Sequence, residues 1–356
     1  MLKVQRVPVG GFFVARDIVS NVERGTVFQP RLGVSFALQL ASQTKEIQEY
    51  TVLAEKNGYE SVWIPEAWGR DAFTLLAVLA TMTESIQLAT GIVNVFSRTP
   101  AIVAQSIASL DDISEGRAIL GLGASGPIVI EHWHGLEFKN VLTRTREFVE
   151  VVRLILSGSR ADYDGEVYKL RDFSLAFRPP RSRVPIYLAA IGPANSCLAG
   201  EVADGWLPVF ASAALLETAE VWLAEGVSRA ARERTEVTVA AYIPTLLGPQ
   251  APNLLRRHIA FYVGGMGSYY FRLMVRSGWE REARAIRDRW RAAARKEAAE
   301  LVTDEMLEAL TVTGDVTAAR ARLQEFRRQG VDLPILAMPH GAESGAIRAT
   351  LEALGG

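Results

Sequence analysis

A chain of 356 residues, 49% of them hydrophobic, can enclose an extensive core, and it carries no long polar tract of the kind that stays disordered. Its 39 basic and 40 acidic residues are interspersed and leave a formal net charge of −1, which excludes the basic footprint of a nucleic-acid or acidic-lipid binder. The single cysteine, Cys197, excludes an internal disulfide framework and suits a reducing, cytoplasmic setting.

Residues 1–30 hold short apolar patches broken by Arg16, Asp17, Glu23 and Arg24, without the continuous apolar centre of a secretory signal. They read as an N-terminal extension ahead of a single domain over 31–356: an arm packed on a neighbouring subunit, a tail, or an overlong start. No apolar run approaches the roughly 20 residues of a membrane span.

From residue 31 a short apolar strand, a turn and an amphipathic helix repeat. RLGVSFA is a strand and TKEIQEYTVLAEKNG its helix. SVWIP is followed by AFTLLAVLATMT, and SIQLATGIV by PAIVAQSIASLDDIS, where Pro100 suits a first helical turn. RAILGLG is the fourth strand, with a helix from about 142 to 157 after a loop. VPIYLAAIG and PANSCLAGEVA, then DGWLPV and a helix over roughly 212–232, continue the pattern. TEVTVAAYIP is the seventh strand, with its helix beginning at PNLLRRHIAFYV; VDLPILAM is the eighth, closed by GAIRATLEAL.

Each crossover helix returns the chain to the same end of the sheet, so the strands are predicted parallel. Eight such units close into an α/β (β/α)8 TIM barrel, whose usual length is about 250 residues. The surplus falls in the N-terminal extension, in a segment around 159–180, and in a helical insertion near 264–312. The insertion matches acids to bases, which argues for a solvated helix.

Gly121-x-Gly123-x-x-Gly126 has the spacing of a dinucleotide fingerprint, but that motif also needs an acid ending a second strand about 20 residues on. The acid at that distance, Glu147, falls inside the helix from 142 to 157, so the Rossmann reading fails. In a barrel these glycines are instead the exit of the fourth strand. They serve either close approach of a flat ligand to bare backbone or a simple turn of the chain. AIGPAN, over 190–195, puts a glycine between a strand and a helix, where helix-terminal N–H groups favour a phosphate. His132 and His134 stand two apart but join no further ligand cluster, so no metal site is expected.

ATGIVNVFSRTP, GLGASGPIVIEHWHG, YVGGMG and IYLAAIGPANSCLAGEVADGWLP together resemble the luciferase-like monooxygenase superfamily. Within it they resemble the oxidoreductases dependent on the deazaflavin coenzyme F420, which include the methylenetetrahydromethanopterin reductases. The resemblance runs from about residue 31 to the end. It implies a barrel holding the coenzyme across its C-terminal mouth, with the insertion covering part of that mouth. The third strand would end in a bulge with a cis peptide at Gly91-Ile92, backing the ring, with Val93 and Asn94 alongside. Ala124, Ser125 and Gly126 would meet the ring edge or ribityl chain. Gly192 and Pro193 would hold the phosphate, and Ile191, with Ser35 at the first strand exit, would join the coenzyme contacts.

The chemistry implied is hydride transfer between the deazaflavin C5 and a small organic substrate. Relatives place an acid or an Asp-His pair after the second strand, where this chain has Glu66-Ala67, and some have a glutamate where it has Gly126. Glu66 is a candidate acid/base, or a salt-bridge partner of Arg70 or Arg98. His134 could donate a proton, or be satisfied by backbone. Trp68 and Trp133 could line the substrate, or pack as rim aromatics. An FMN-dependent monooxygenase, or a barrel that binds coenzyme without turnover, are the alternatives. A homodimer or higher homo-oligomer is implied by analogy.

Overall fold

The computed structural model describes residues 31–36 and 44–356, so the N-terminal extension read from residues 1–30 lies outside the described residues. β1 (Gly33–Phe36) leads to α1 (Thr44–Lys56), β2 (Ser61–Pro65) to α2 (Ala72–Ala80), and β3 (Gln87–Asn94) to α3 (Pro100–Ile113). β4 (Ala118–Gly123) passes through a π-helical turn (Ile128–Trp133) to α4 (Val141–Leu156). A hairpin of β5 (Ala161–Asp164) and β6 (Lys169–Phe173) precedes β7 (Ile186–Ala189), α5 (Pro193–Val202), β8 (Gly205–Leu207) and α6 (Ala213–Arg229). After β9 (Thr238–Pro244) come six helices: α7 (Ala251–Gly265), α8 (Ser268–Arg276), α9 (Glu280–Arg291), α10 (Arg295–Glu300), α11 (Asp304–Leu310) and α12 (Val316–Arg328). β10 (Leu333–Met338) and α13 (Ser344–Leu354) end the fold.

Strands β1, β2, β3, β4, β7, β8, β9 and β10 pair in parallel in that order and close on β1, which is the predicted (β/α)8 barrel. Their residues are buried on both faces, as parallel strands beneath helices require. Trp63, Ala89, Ile119, Tyr187, Leu207, Ala240, Leu333 and Ile335 pack together inside the barrel. A larger apolar layer joins the outer strand faces to the helices. The inner Trp63 indole donates to Ser61 Oγ at 2.9 Å, so its burial leaves no orphan donor. The helix starts carry their sequence signals: Asp71, Thr99 and Ser212 accept backbone N–H groups of α2, α3 and α6.

Glu147, the acid that a dinucleotide fold would have needed elsewhere, is buried on α4. Its carboxylate accepts from the N–H groups of Glu166, Val167 and Tyr168, at 2.7, 2.9 and 2.8 Å. It fastens the β5–β6 turn to the barrel wall, which gives the surplus segment around 159–180 a definite form.

The last third departs from the sequence reading. PNLLRRHIAFYV was assigned to the barrel's helical ring, but α7 packs on α8, α9, α10 and α11 and belongs to the insertion. The ring position falls to α12, against β10 and α13, a helix the reading did not assign. The cause is local. A Cβ on Gly264 or Gly265 would lie 2.5 or 2.9 Å from the Trp290 side chain, so YVGG lets α9 cross close over the end of α7. Among the described residues no helix is long and apolar enough to cross a membrane.

Candidate functional site at the C-terminal barrel mouth

Strand register brings the three segments singled out in sequence to one rim. Asn94 of β3 pairs with Gly123 of β4, and Gly123 pairs with Ala189 of β7. The chain therefore leaves residues 91–94, 124–126 and 191–193 from neighbouring strand ends. Between Ala89 and Val93 the β3–β4 register slips by one residue, and β2–β3 slips at Ile64/Pro65, so the anticipated bulge is present. Its peptides are trans, like every other peptide bond among the described residues, and the cis bond implied by resemblance is corrected. The register slip alone accommodates the extra residue.

The bulge also explains the glycines. A Cβ on Gly91 would sit 2.4 Å from Pro65 N, and one on Gly121 would sit 2.1 Å from Thr90 O. Backbone cannot yield as a flexible side chain can, so only glycine fits either position. Thr90 Oγ1 replaces the disturbed ladder, accepting from Gly121 N at 2.7 Å and donating to Gly121 O at 2.8 Å. Gly123 instead faces the Ile92 side chain, whose Cδ1 lies 2.7 Å from the Cβ position and can swing away. Of the fingerprint glycines, Gly121 is thus held by strand packing. Gly126 is different: only the Tyr269 ring, at 3.9 Å, approaches its Cβ position.

The floor of the mouth consists of Ile92, Ala189 and Tyr242, all partly buried against the inner core, with the bare Gly123 between. Tyr242 Oη donates to Gly91 O at 2.8 Å, tying β9 to the bulge across the barrel. Small or flat side chains at this floor fit a planar ring. Gly192 caps α5 with nothing within 4 Å of its Cβ position, Pro193 opens the helix, and Ile191 precedes them half-buried. That is the room and donor chemistry an anionic group needs.

The other candidates fall unevenly around the rim. Ser35 is buried at the end of β1 beside Trp63 and Ala337. Val93 is wholly buried in the outer core, so it reaches the mouth only through its backbone. Asn94 Oδ1 accepts from the N–H groups of Phe96 and Ser97, at 3.0 and 2.7 Å, and shapes the loop. Ala124, Ser125 and Gly126 are half-buried, Ser125 with a left-handed φ of 59°. Trp68, from the β2 exit, and Trp133, from the π-helical turn, meet edge to face with centroids 5.0 Å apart. His134 is exposed next to Trp133.

Glu66 takes the salt-bridge alternative. Arg98 Nε and Nη2 donate to its two oxygens at 3.0 and 2.9 Å, and Ala72 N donates at 3.0 Å. Arg98 also grips Asp71, whose carboxyl is held low mainly by hydrogen bonds from Thr74 and by the Arg98 charge, against the opposing effect of burial. The cluster locks the β2 and β3 exits together.

The sequence reading placed the insertion over part of the mouth but named none of the residues by which it reaches the rim. Leu254 Cδ2 lies 3.5 Å from the Cβ position of Gly341 beyond β10, Tyr269 lies at Gly126 beyond β4, and Arg276 Nη2 donates to Ile191 O at 2.6 Å beyond β7. The insertion therefore reaches the rim at three of the strand exits. Its own His258, Tyr262 and Tyr270 form an aromatic cluster with Phe210, in which the His258 and Tyr262 centroids are 4.9 Å apart. Desolvation there, and secondarily the charge on His340, pulls the His258 imidazole down to about 4, so it is neutral at physiological pH. Burial pushes the Tyr242, Tyr262 and Tyr270 hydroxyls above their ordinary range. The available signal was His258 and Tyr262, four apart on one helix face.

Among the described residues no group of three or more possible ligands could hold a metal ion. An open groove of about 450 Å³ lies on the outer wall between α4, α5 and α6, but its Arg146, Glu201, Glu225 and Arg229 are paired with one another.

Fold and rim together are those of the barrel class whose enzymes work at the C-terminal mouth. The luciferase-like monooxygenase model matches residues 25–333; the chain belongs to that family and is an oxidoreductase of it. It is 31% identical to a protein of Mycobacterium tuberculosis named as a coenzyme F420-dependent oxidoreductase, over 86% of this chain and 94% of the other. It is 35% identical to the 5,10-methylenetetrahydromethanopterin reductase of Methanolobus tindarius, over 83% of this chain and 91% of the reductase. The solved F420-dependent tetrahydromethanopterin reductase of Methanopyrus kandleri superposes with a TM-score of 0.81 at 28% identity, covering 92% and 97% of the two chains.

Proposed function

We propose that this oxidoreductase uses coenzyme F420, held across the barrel mouth, to exchange a hydride with a small organic substrate. The observation that carries the reading is the side-by-side emergence of residues 91–94, 124–126 and 191–193 above a floor of Ile92, Gly123, Ala189 and Tyr242. When bound, the deazaflavin supplies a hydride donor or acceptor at C5. The chain's part is to back the ring with the Gly91–Ile92 bulge and to meet its edge at Ala124–Gly126. The N–H groups of Gly192, Ala194 and Asn195 would take the phosphate, since Pro193 has none to give. The coenzyme F420 in the names of the Mycobacterium tuberculosis and Methanopyrus kandleri proteins supports the same choice.

Trp68 and Trp133 wall the substrate side, where the T-shaped pair offers an apolar face. Glu66, with both oxygens engaged by Arg98 and Ala72 N–H, organises the rim rather than moving a proton. Proton handling falls to an imidazole: His134 beside Trp133, or the neutral His258 within the insertion. Exposed apolar residues on α2 and α3 and the turn after α2, Val78 and Ile102 with Met82 and Ile113, fit an assembly of like chains, which size-exclusion with light scattering would test.

Fluorescence titration decides the coenzyme. Micromolar binding of F420 with weak or no binding of FMN supports this reading; the reverse result establishes the FMN monooxygenase alternative. Binding of neither overturns both.

A further inference from the structure

Two guanidinium groups stand between the exits of β4 and β7. Arg272 and Arg276 lie four residues apart on α8 and so share one face of it. Arg276 Nη2 donates to Ile191 O at 2.6 Å, which joins it to the turn leading into Gly192. Arg272 lies over the Tyr269 ring, 4.9 Å from its centroid, and that ring is the one packed at the Cβ position of Gly126. The pair thus bridges the two neighbouring rim turns.

Neither guanidinium meets a carboxylate among the described residues, whereas Arg98, Arg146, Arg153 and Arg181 are each ion-paired. Like charges four apart on a helix repel. Burial and the neighbouring Arg272 charge both pull Arg276 below its ordinary range, with no acid acting the other way. An anion lying between the two relieves the repulsion and gives each planar fork the bidentate acceptor it suits. The space next to them is free, since nothing comes within 4 Å of a Cβ on Gly192.

We propose that Arg272 and Arg276 form an anion site for the acidic groups on the coenzyme's tail, beyond the phosphate and away from the ring. The site rests on the coenzyme reading given above and extends it to residues of the insertion. It makes α8 a clamp: the tail binds the insertion to the β4 and β7 exits, and the ring beneath is enclosed as a consequence.

Fluorescence titrations of the full chain with F420, and with the deazaflavin chromophore lacking phosphate and acidic tail, test this. The wild-type protein should bind F420 more tightly than the tailless molecule. R272Q and R276Q should each weaken F420 by about tenfold, the size of one charge-assisted hydrogen bond, and the double variant by more. Binding of the tailless chromophore should not change. Unaltered F420 affinity in the double variant overturns the anion site and leaves the coenzyme reading standing. Equal loss for both ligands overturns it too, because the arginines then act through the fold. Failure of the wild-type chain to bind either ligand overturns the coenzyme reading and the anion site with it.

Discussion

Trp68 and Trp133 come from different strand exits, 65 residues apart in sequence, and their rings meet edge to face with centroids 5.0 Å apart. They are 41% and 48% exposed, so little of their surface serves the core. A T-shaped aromatic pair contributes about 0.5–1.5 kcal/mol beyond burial. W68A and W133A should each lower stability by no more than ~1.5 kcal/mol in chemical denaturation. If the pair walls the substrate, each should raise KM by about tenfold while F420 affinity is kept. Loss of coenzyme affinity instead would place the ring, not the substrate, against the tryptophans.

A second prediction concerns acid. The His258 imidazole is lowered from 6.5 to about 4 in the fold, so the unfolded chain binds more protons between those values. Stability therefore rises with pH through this window: it is complete above pH 6.5 and falls as pH drops toward about 4, by up to ~3 kcal/mol. H258F keeps the ring among Phe210, Tyr262 and Tyr270 and removes the titrating group. Urea melts from pH 7 to pH 4 should be distinctly flatter for H258F than for the wild-type protein. Asp204 contributes below this window with the same sign. Its carboxyl is held low by Arg153, by Ile186 N–H and by Arg183, against desolvation, and its contribution is lost as pH falls through that depressed value.

Where the chain repeats one pattern, sequence and structure agree. The eight barrel strands were legible because each is a short apolar run buried on both faces, with a helix following. The rim turns at 91–94, 124–126 and 191–193 were legible because glycine clusters at strand exits are visible without coordinates. The roles of α7 and α12 were not, because both are amphipathic and only tertiary packing tells ring helix from insertion. For the same reason the insertion's Tyr269, Arg276 and His258 were missed: they reach the mouth through contacts far apart in sequence. The glycine fingerprint was legible as a strand exit, but Gly121 owes its identity to Thr90 O, a partner that only register supplies.

Those glycines give a graded test. Gly91→Ala and Gly121→Ala press a methyl onto backbone at 2.4 and 2.1 Å, and each should cost about 1–3 kcal/mol or more as overpacking, read as a lower chemical-denaturation midpoint at unchanged slope. Gly192→Ala meets nothing within 4 Å and should leave stability within about 0.5 kcal/mol. Gly192→Asp puts a carboxylate where the phosphate is proposed to sit and should abolish F420 binding while the protein stays folded. Unchanged affinity in that variant would put the phosphate elsewhere on the rim.

Glu66 provides the remaining prediction, because its two roles leave different signatures. As a rim anchor it accepts from Arg98 Nε, Arg98 Nη2 and Ala72 N, with Asp71 holding the same arginine. Glu66→Gln keeps the shape and one acceptor oxygen but removes the charge opposite Arg98. Breaking one partner of a part-buried pair in this way should lower stability by about 1–3 kcal/mol. Arg98→Gln should cost a similar amount, and the two together less than their sum, since either change alone already ends the pairing. A proton-transferring Glu66 would behave otherwise: Glu66→Gln would cut kcat by 100-fold or more and abolish one limb of the pH–rate profile, while Arg98→Gln would retain it. Equal kinetic effects of the two substitutions, with the pH profile intact, are the result that the observed geometry requires.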